Sequence, residues 1–203
     1  DGDVDLITCT YYHRIENYND LGDRCECLLN DGNGRFSISE NSGLNQLGLI
    51  NCTGPALLDF DKDGNIDLYL ATWSRDHTQG FFAHDILLQG HGDGTFTKVS
   101  EEAGIEDVSP FPMYGINIMD WNNDGWPDIA TSAYCRSGGN FWMNNGDSTF
   151  TDVADDINYD SRQMDGDNGQ ALCQWAAHPD DFDMDGDIDF YISLVHGGMQ
   201  ENE

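Results

Sequence analysis

Positive charge is scarce in this sequence. Eight Lys and Arg stand against 38 Asp and Glu, which leaves a formal net charge of −30 over 203 residues. A nucleic-acid backbone is bound by clustered Lys and Arg, and an anionic membrane surface asks for the same residues. The eight cations here are scattered singly, so no nucleic-acid partner is expected. No apolar run approaches the ~18 to 20 residues of a membrane-spanning helix, which argues against direct membrane insertion and for a soluble chain. Catalytic signatures are missing as well. There is no G-x-S-x-G, Walker loop, H-E-x-x-H or Rossmann fingerprint, and an enzyme is not expected. Proline is sparse, with 5 residues against 23 Gly, a balance that favours tight turns between short strands. The 38% hydrophobic and 11% aromatic content supplies a core that a disordered acidic tail lacks.

Much of the acid is concentrated rather than spread. Three windows, Asp59–Asp67, Asp120–Asp128 and Asp181–Asp189, obey D-x-[DN]-x-D-G-x-x-D. The opening Asp1-Gly2-Asp3-Val4-Asp5 matches the last five positions of the same window. Two carboxylates ~4 Å apart repel by roughly 4 kcal/mol at an effective dielectric near 20, so several converging on one turn need a cation between them. The windows contain oxygen donors and neither His nor Cys, which selects a hard ion. Calcium accepts six to eight oxygens in flexible geometry, whereas magnesium demands a tighter octahedron. The window also resembles the start of an EF-hand loop, but an EF-hand needs Glu at position 12 and helices on both sides. Position 12 here is Leu70, Thr131 and Ile192, and the following segments are rich in β-branched and aromatic residues. Each acidic turn therefore reads as the loop of a β-hairpin, with Asp at position 9 closing the site from the outgoing strand. Met164–Gly169 mimics part of the pattern but lacks the flanking ligand positions, and reads as an ordinary loop.

Position 1 falls at Asp59, Asp120 and Asp181, a spacing of 61 residues twice over. Between the windows lies a second motif: Leu28–Phe36, Leu87–Phe96 and Trp142–Phe150, each an apolar strand, a Gly/Asn/Asp turn and a Phe opening the next strand. Each unit thus reads as four strands. A four-stranded sheet at a fixed period without helices predicts an all-β protein, a β-propeller of antiparallel blades. The expected division is a partial blade over 1–48, blades over 49–108 and 109–160, and a partial blade over 161–203, holding three, four, four and two strands.

The alternation of the acidic window with sequences such as Trp142-Met-Asn-Asn-Gly-Asp-Ser-Thr-Phe-Thr-Asp-Val153 and His91-Gly-Asp-Gly-Thr-Phe-Thr-Lys-Val99 resembles the FG-GAP or VCBS repeat of integrin α-chain propellers and the cartilage acidic protein family. The resemblance implies calcium in the acidic turn of each blade. It implies ligation by the side chains of Asp59, Asp61, Asp63 and Asp67 with the Asn65 carbonyl. The matching sets are Asp120, Asn122, Asp124, the Trp126 carbonyl and Asp128, and then Asp181, Asp183, Asp185, the Asp187 carbonyl and Asp189. Asp1, Asp3 and Asp5 would belong to a truncated fourth site. Propellers of this family close with about seven blades, roughly twice this length, so the chain reads as a section of a longer wheel whose remaining blades come from the same chain or a partner.

Six Cys, at 9, 25, 27, 52, 135 and 173, show no C-x-x-C or Cys/His metal pattern. An even count in an acidic calcium-binding β protein favours an oxidising compartment. Pairing of Cys135 with Cys173 and pairing among Cys9, Cys25, Cys27 and Cys52 is the expectation, with buried thiols the alternative. Trp121 and Trp126 sit in the second acidic turn and are the candidates for exposed aromatic contacts. The functional expectation is a non-enzymatic extracellular adhesion, scaffold or protein-interaction module. The alternatives are a carbohydrate-binding propeller and an accessory subunit of a larger secreted or surface complex.

Overall fold

The computed structural model describes residues 2–9, 24–48, 50–73, 83–106, 112–133, 139–159 and 173–195. Among the described residues, thirteen strands form four antiparallel sheets, each a meander in sequence order. The first holds β1 (Leu6–Thr8), β2 (Glu26–Asn30) and β3 (Phe36–Ile38). The second holds β4 (Cys52–Leu58), β5 (Asp67–Thr72), β6 (Ile86–Gly90) and β7 (Phe96–Lys98). The third holds β8 (Met113–Met119), β9 (Asp128–Ala133), β10 (Phe141–Asn144) and β11 (Phe150–Asp152). The fourth pairs β12 (Cys173–Asp180) with β13 (Asp189–Val195). The three, four, four and two strands expected from the repeat are the ones observed, and the only helical turn among the described residues is a 3-10 turn at Leu44–Leu47. The sheets are open propeller blades, not a closed wheel.

The second strand of each full blade is buried along its whole length. All six residues of β5 (Asp-Leu-Tyr-Leu-Ala-Thr) and of β9 (Asp-Ile-Ala-Thr-Ser-Ala) are inaccessible, because neighbouring sheets cover both faces and an alternating polar pattern has no place there. Successive side chains of β5 point to opposite sides. Leu68 and Leu70 join Cys25, Cys27, Leu44 and Cys52 in the layer between the first and second sheets. Tyr69 points the other way, into a layer with Ile129, Trp142 and Phe150 of the third sheet. Between the third and fourth sheets, Ala130, Phe141 and Tyr159 pack with Ala177, Phe190 and Ile192. The outermost strand β7 is three residues long and largely exposed, a short edge of the kind that limits pairing with other chains.

Polar contacts also tie blade to blade. The N–H of Phe96 donates to the Ser42 carbonyl at 2.8 Å, and that of Phe150 donates to the Ala103 carbonyl at 2.9 Å. The Phe that opens each fourth strand is therefore hydrogen-bonded to the preceding repeat. Within the layer between the second and third sheets, Trp142 Nε1 donates to Tyr69 Oη at 3.0 Å, and Tyr69 Oη donates to Asp85 Oδ2 at 2.7 Å. The Thr72 N–H donates to Asp85 Oδ1 at 2.7 Å.

Burial pushes the Asp85 carboxyl up to about 7, against the pull of the Thr72 and Tyr69 donors. Its folded value lies above the ordinary carboxylate value of 3.8, so the folded state holds the extra proton between pH ~4 and ~7, and stability from this group falls as pH rises through that window. In chelator, the wild-type protein should gain stability from pH 8 to pH 6 more steeply than Asp85→Asn, by roughly 1 to 2 kcal/mol. Urea midpoints at the two pH values check this, and parallel slopes for the two proteins would contradict it.

Candidate metal centre

Each acidic window links the first strand of a blade to the second. In the first, Asp59 follows the end of β4 and Asp67 opens β5. The reversal needs two left-handed residues. Gly at position 6 supplies one, with φ of 89° at Gly64, 86° at Gly125 and 99° at Gly186. The other is position 4, where Lys62, Asn123 and Met184 take φ of 56°, 57° and 61°. Only Asn among these adopts that region readily, so this second left-handed position leaves no mark in the sequence pattern.

The turn's own N–H groups organise the acids. In the first window the Gly64 N–H donates to Asp59 Oδ2, the Asp63 N–H to Asp61 Oδ1 and the Asn65 N–H to Asp63 Oδ1. The equivalent bonds recur in the second window, from Gly125 to Asp120, from Asp124 to Asn122 and from Trp126 to Asp124. They recur again in the third, from Gly186 to Asp181, from Asp185 to Asp183 and from Asp187 to Asp185. Position 9 does something else. Asp67 is wholly buried, and its two oxygens accept the Phe60 N–H at 2.9 Å and the Gly90 N–H at 2.8 Å. Asp128 likewise accepts from Trp121 and Asn144. Asp189 accepts from Phe182, and Asp5 accepts from Asn30. Position 9 thus clamps the acidic turn to the third strand of its blade in the first three sheets.

The second repeated motif packs on the first. A Cβ at Gly32, Gly92 or Gly146 would run into Asp3, Asn65 or Trp126 respectively. These are the position 7 residues of successive windows. The glycine of the second hairpin takes left-handed φ of 74°, 74° and 75°, which an L side chain strains, and position 7 of the acidic turn lies against it.

Carboxylate oxygens of Asp59, Asp61 and Asp67 lie within 4.8 Å of one another, as do those of Asp181, Asp183 and Asp189. Asp59 Oδ1 is buried and has no hydrogen-bond partner. At such separations each carboxylate pair repels by roughly 3 to 4 kcal/mol at an effective dielectric near 20. Burial pushes Asp67 up to about 6, with the Asp61 and Asp63 charges adding to it and the two N–H donors opposing. Burial raises Asp128 in the same way. These clusters can hold a metal ion, and their donors are hard oxygens.

The remaining sequence-predicted residues are placed differently. Asp63 and Asp185 are turned toward the N–H of position 7, and Asp63 also accepts the Asn65 side-chain amide at 2.9 Å. In the second window Asn122 donates its amide to Asp124 at 2.8 Å, which leaves two acids, Asp120 and Asp128, at the positions that cluster in the other windows. Lys62 of the first window lies 4.0 Å from the Trp126 ring centroid. The Trp126 N–H, the Asn122 amide and the Lys62 charge hold Asp124 below the usual carboxylate range. Asn123 donates to the Gly186 carbonyl at 3.3 Å, so position 4 of one window touches the next window in both cases. Asp1 and Met164–Gly169 lie outside the described residues; Asp3 and Asp5 are exposed.

Trp121 departs from the expectation of an exposed aromatic. Its ring packs edge-on against buried Phe141 with centroids 5.4 Å apart, within the layer between the third and fourth sheets. A Trp at position 2 reaches back over the blade instead of outward, as buried Phe60 does in the first window.

A family model described as the FG-GAP-like repeat matches residues 1–70. Over that segment, about a third of the chain, the sequence is similar to the FG-GAP-like repeat. The matched segment runs through the first sheet and the complete first acidic window to the middle of β5. The 61-residue spacing carries the same acidic turn into the two later blades, beyond the matched segment. No curated protein matches the sequence.

Proposed function

We propose that this protein is a calcium-stabilised, non-enzymatic propeller module that works outside the cell in adhesion, scaffolding or protein interaction. The observation that carries the reading is Asp59 Oδ1, buried without a donor beside Asp61 and Asp67. A buried carboxylate oxygen left unpaired is costly, and a cation among the three acids supplies the missing partner. Oxygen-only donors and a flexible turn suit calcium. In this reading Asp59, Asp61, Asp63 and Asp67 ligate with the Asn65 carbonyl. Asp120, Asn122, Asp124, Asp128 and the Trp126 carbonyl form the second site. Asp181, Asp183, Asp185, Asp189 and the Asp187 carbonyl form the third, and Asp1, Asp3 and Asp5 belong to a fourth. The blades span 1–48, 49–108, 109–160 and 161–203.

The resemblance to the FG-GAP repeat implies an extracellular, non-enzymatic module, and millimolar calcium outside cells suits exposed sites of this type. The partner is a protein, either further blades of the same wheel or a second chain. Support comes from the last sheet and its turn, where Trp175, Phe182, Met184 and Tyr191 are 48%, 56%, 87% and 63% exposed. The glycan alternative rests on Trp121 and Trp126. The first is packed against Phe141 and the second lies beneath Lys62, which favours the protein partner.

Calorimetric titration of the calcium-free chain tests the reading. Three binding events are expected, the second window being the weakest because Asn122 replaces an acid and Lys62 adds a positive charge beside it. Calcium affinity follows ligand charge, so Asn122→Asp should tighten that site by roughly tenfold, about 1.4 kcal/mol. Unchanged binding in this variant would remove the second window from the set.

A further inference from the structure

Outside the acidic turns, one cluster of reactive side chains stands apart from the calcium reading. The Sγ atoms of Cys9, Cys25 and Cys52 lie within 4.8 Å of one another in the layer between the first and second blades. All three are thiols in the structure. β1 and β2 pair antiparallel with Leu6 opposite Leu28, Ile7 opposite Cys27 and Thr8 opposite Glu26. The next step of that register sets Cys9 opposite Cys25. Directly opposed residues of an antiparallel pair have Cα atoms about 4.5 to 5.5 Å apart, inside the range of about 4.4 to 6.8 Å that a disulfide spans. Cys52 is the first residue of β4 and belongs to the neighbouring blade. Cys27 is opposed to Ile7 and is not a member of the cluster.

We propose that Cys9, Cys25 and Cys52 form a three-sulfur redox site, with Cys9–Cys25 as its resting disulfide and Cys52 as a third sulfur able to displace Cys9. The resting bond closes the segment between β1 and β2 within one blade. Displacement converts it into Cys25–Cys52, which joins two blades covalently. The oxidant is a low-molecular-weight disulfide. The Cys9 thiolate attacks it, expelling one small thiol and forming a mixed disulfide; the Cys25 thiolate then attacks Cys9 Sγ and expels the second small thiol. Two protein thiols are oxidised and one external disulfide is reduced to two thiols. In the exchange step the Cys52 thiolate attacks Cys25 Sγ, the Cys9–Cys25 bond breaks, and Cys9 leaves as thiolate, with no net oxidation.

Accessibility sets the order of events. Cys9 is the half-buried member, whereas Cys25 and Cys52 are 0% and 1% exposed, so an external disulfide reaches Cys9 first. The contact with Cys25 pushes the Cys9 thiol up to about 12. Cys52 is raised as well: its contact with Cys25 lowers it, but its contact with Cys9 and burial outweigh that. Attack in either step requires a thiolate, so both are slow at neutral pH and the products can be trapped by acid. The assignment does not depend on calcium at the acidic turns.

The test uses the full chain, loaded with calcium, treated with oxidised glutathione at mildly alkaline pH, quenched in acid, digested and mapped by mass spectrometry. Wild type should show a peptide pair linked through Cys9 and Cys25, lighter by two hydrogens, with Cys52 alkylated only after denaturation. In Cys9→Ser, oxidised in mild denaturant so that the two buried thiols are reached and then refolded, the link should fall on Cys25–Cys52, and in Cys52→Ser the Cys9–Cys25 link should persist. A link that includes Cys27 would overturn the proposal. So would Cys25 and Cys52 remaining thiols in oxidised Cys9→Ser, or a native protein with stoichiometric thiolate-bound zinc and no bond among the three.

Discussion

Removing calcium from the intact chain should lower its melting temperature by about 15 °C or more. With free calcium a hundredfold above the dissociation constant, each bound ion stabilises the folded state by about 2.7 kcal/mol, so three sites give about 8 kcal/mol. In a domain of this size 1 kcal/mol moves the melting temperature by about 2 to 4 °C. Chelation has a second consequence. Asp59, Asp61 and Asp67, and again Asp181, Asp183 and Asp189, then face one another across 4.8 Å or less without a counter-ion, and raised salt should recover part of the loss by screening. Calorimetric melting in calcium and in chelator checks both parts. An unchanged melting temperature would mean that the ions, if bound, hold nothing together.

The second large effect separates two acids of one turn that the sequence pattern treats alike. Asp67→Ala should destabilise the protein with or without calcium, by roughly 2 to 6 kcal/mol, since truncation strands two buried N–H groups, those of Phe60 and Gly90, at about 1 to 3 kcal/mol each. Asp61→Ala should behave differently. In chelator it removes one member of a mutually repelling group, at the expense of the contact from Gln89 at 2.6 Å and an exposed turn bond from the Asp63 N–H at 3.1 Å, and should be neutral or mildly stabilising. In calcium it removes a ligand and should cost about 2 to 3 kcal/mol. Urea midpoints of both variants in the two conditions give four numbers whose pattern decides. Equal losses for Asp61→Ala in calcium and chelator would assign that carboxylate a purely structural role.

The contrast between Asp61 and Asp67 also marks where the sequence stops being legible. The 61-residue spacing and the window D-x-[DN]-x-D-G-x-x-D announce strands, turns and their number, because glycine at a left-handed position and acids on a reversal are local requirements. Position 9 reads only as one more ligand. That its oxygens also hold the third strand depends on Gly90 and Asn144, 23 and 16 residues away. The left-handed position 4 is hidden for another reason: Lys62 and Met184 are ordinary residues held there by the turn around them. Trp121 misled because a tryptophan beside an exposed turn invites an outward reading, whereas the blade's packing turns it onto Phe141. The contact from Trp142 through Tyr69 to Asp85 is illegible in principle, since it joins residues of successive repeats that lie 73 positions apart. The cysteine cluster is legible in half: Cys9 and Cys25 flank a β1–β2 connection, but only the stacking of the second blade brings in Cys52.

Calcium stoichiometry tests the central claim most directly. The intact chain and a variant carrying Asp59→Ala, Asp120→Ala and Asp181→Ala are dialysed to equilibrium against millimolar calcium in excess magnesium, and bound metal is then counted per chain. Three calcium ions per wild-type chain, lost in the variant and undisturbed by magnesium, is the predicted result. Metal-free wild type, or a variant that retains its full complement of calcium, would contradict the account.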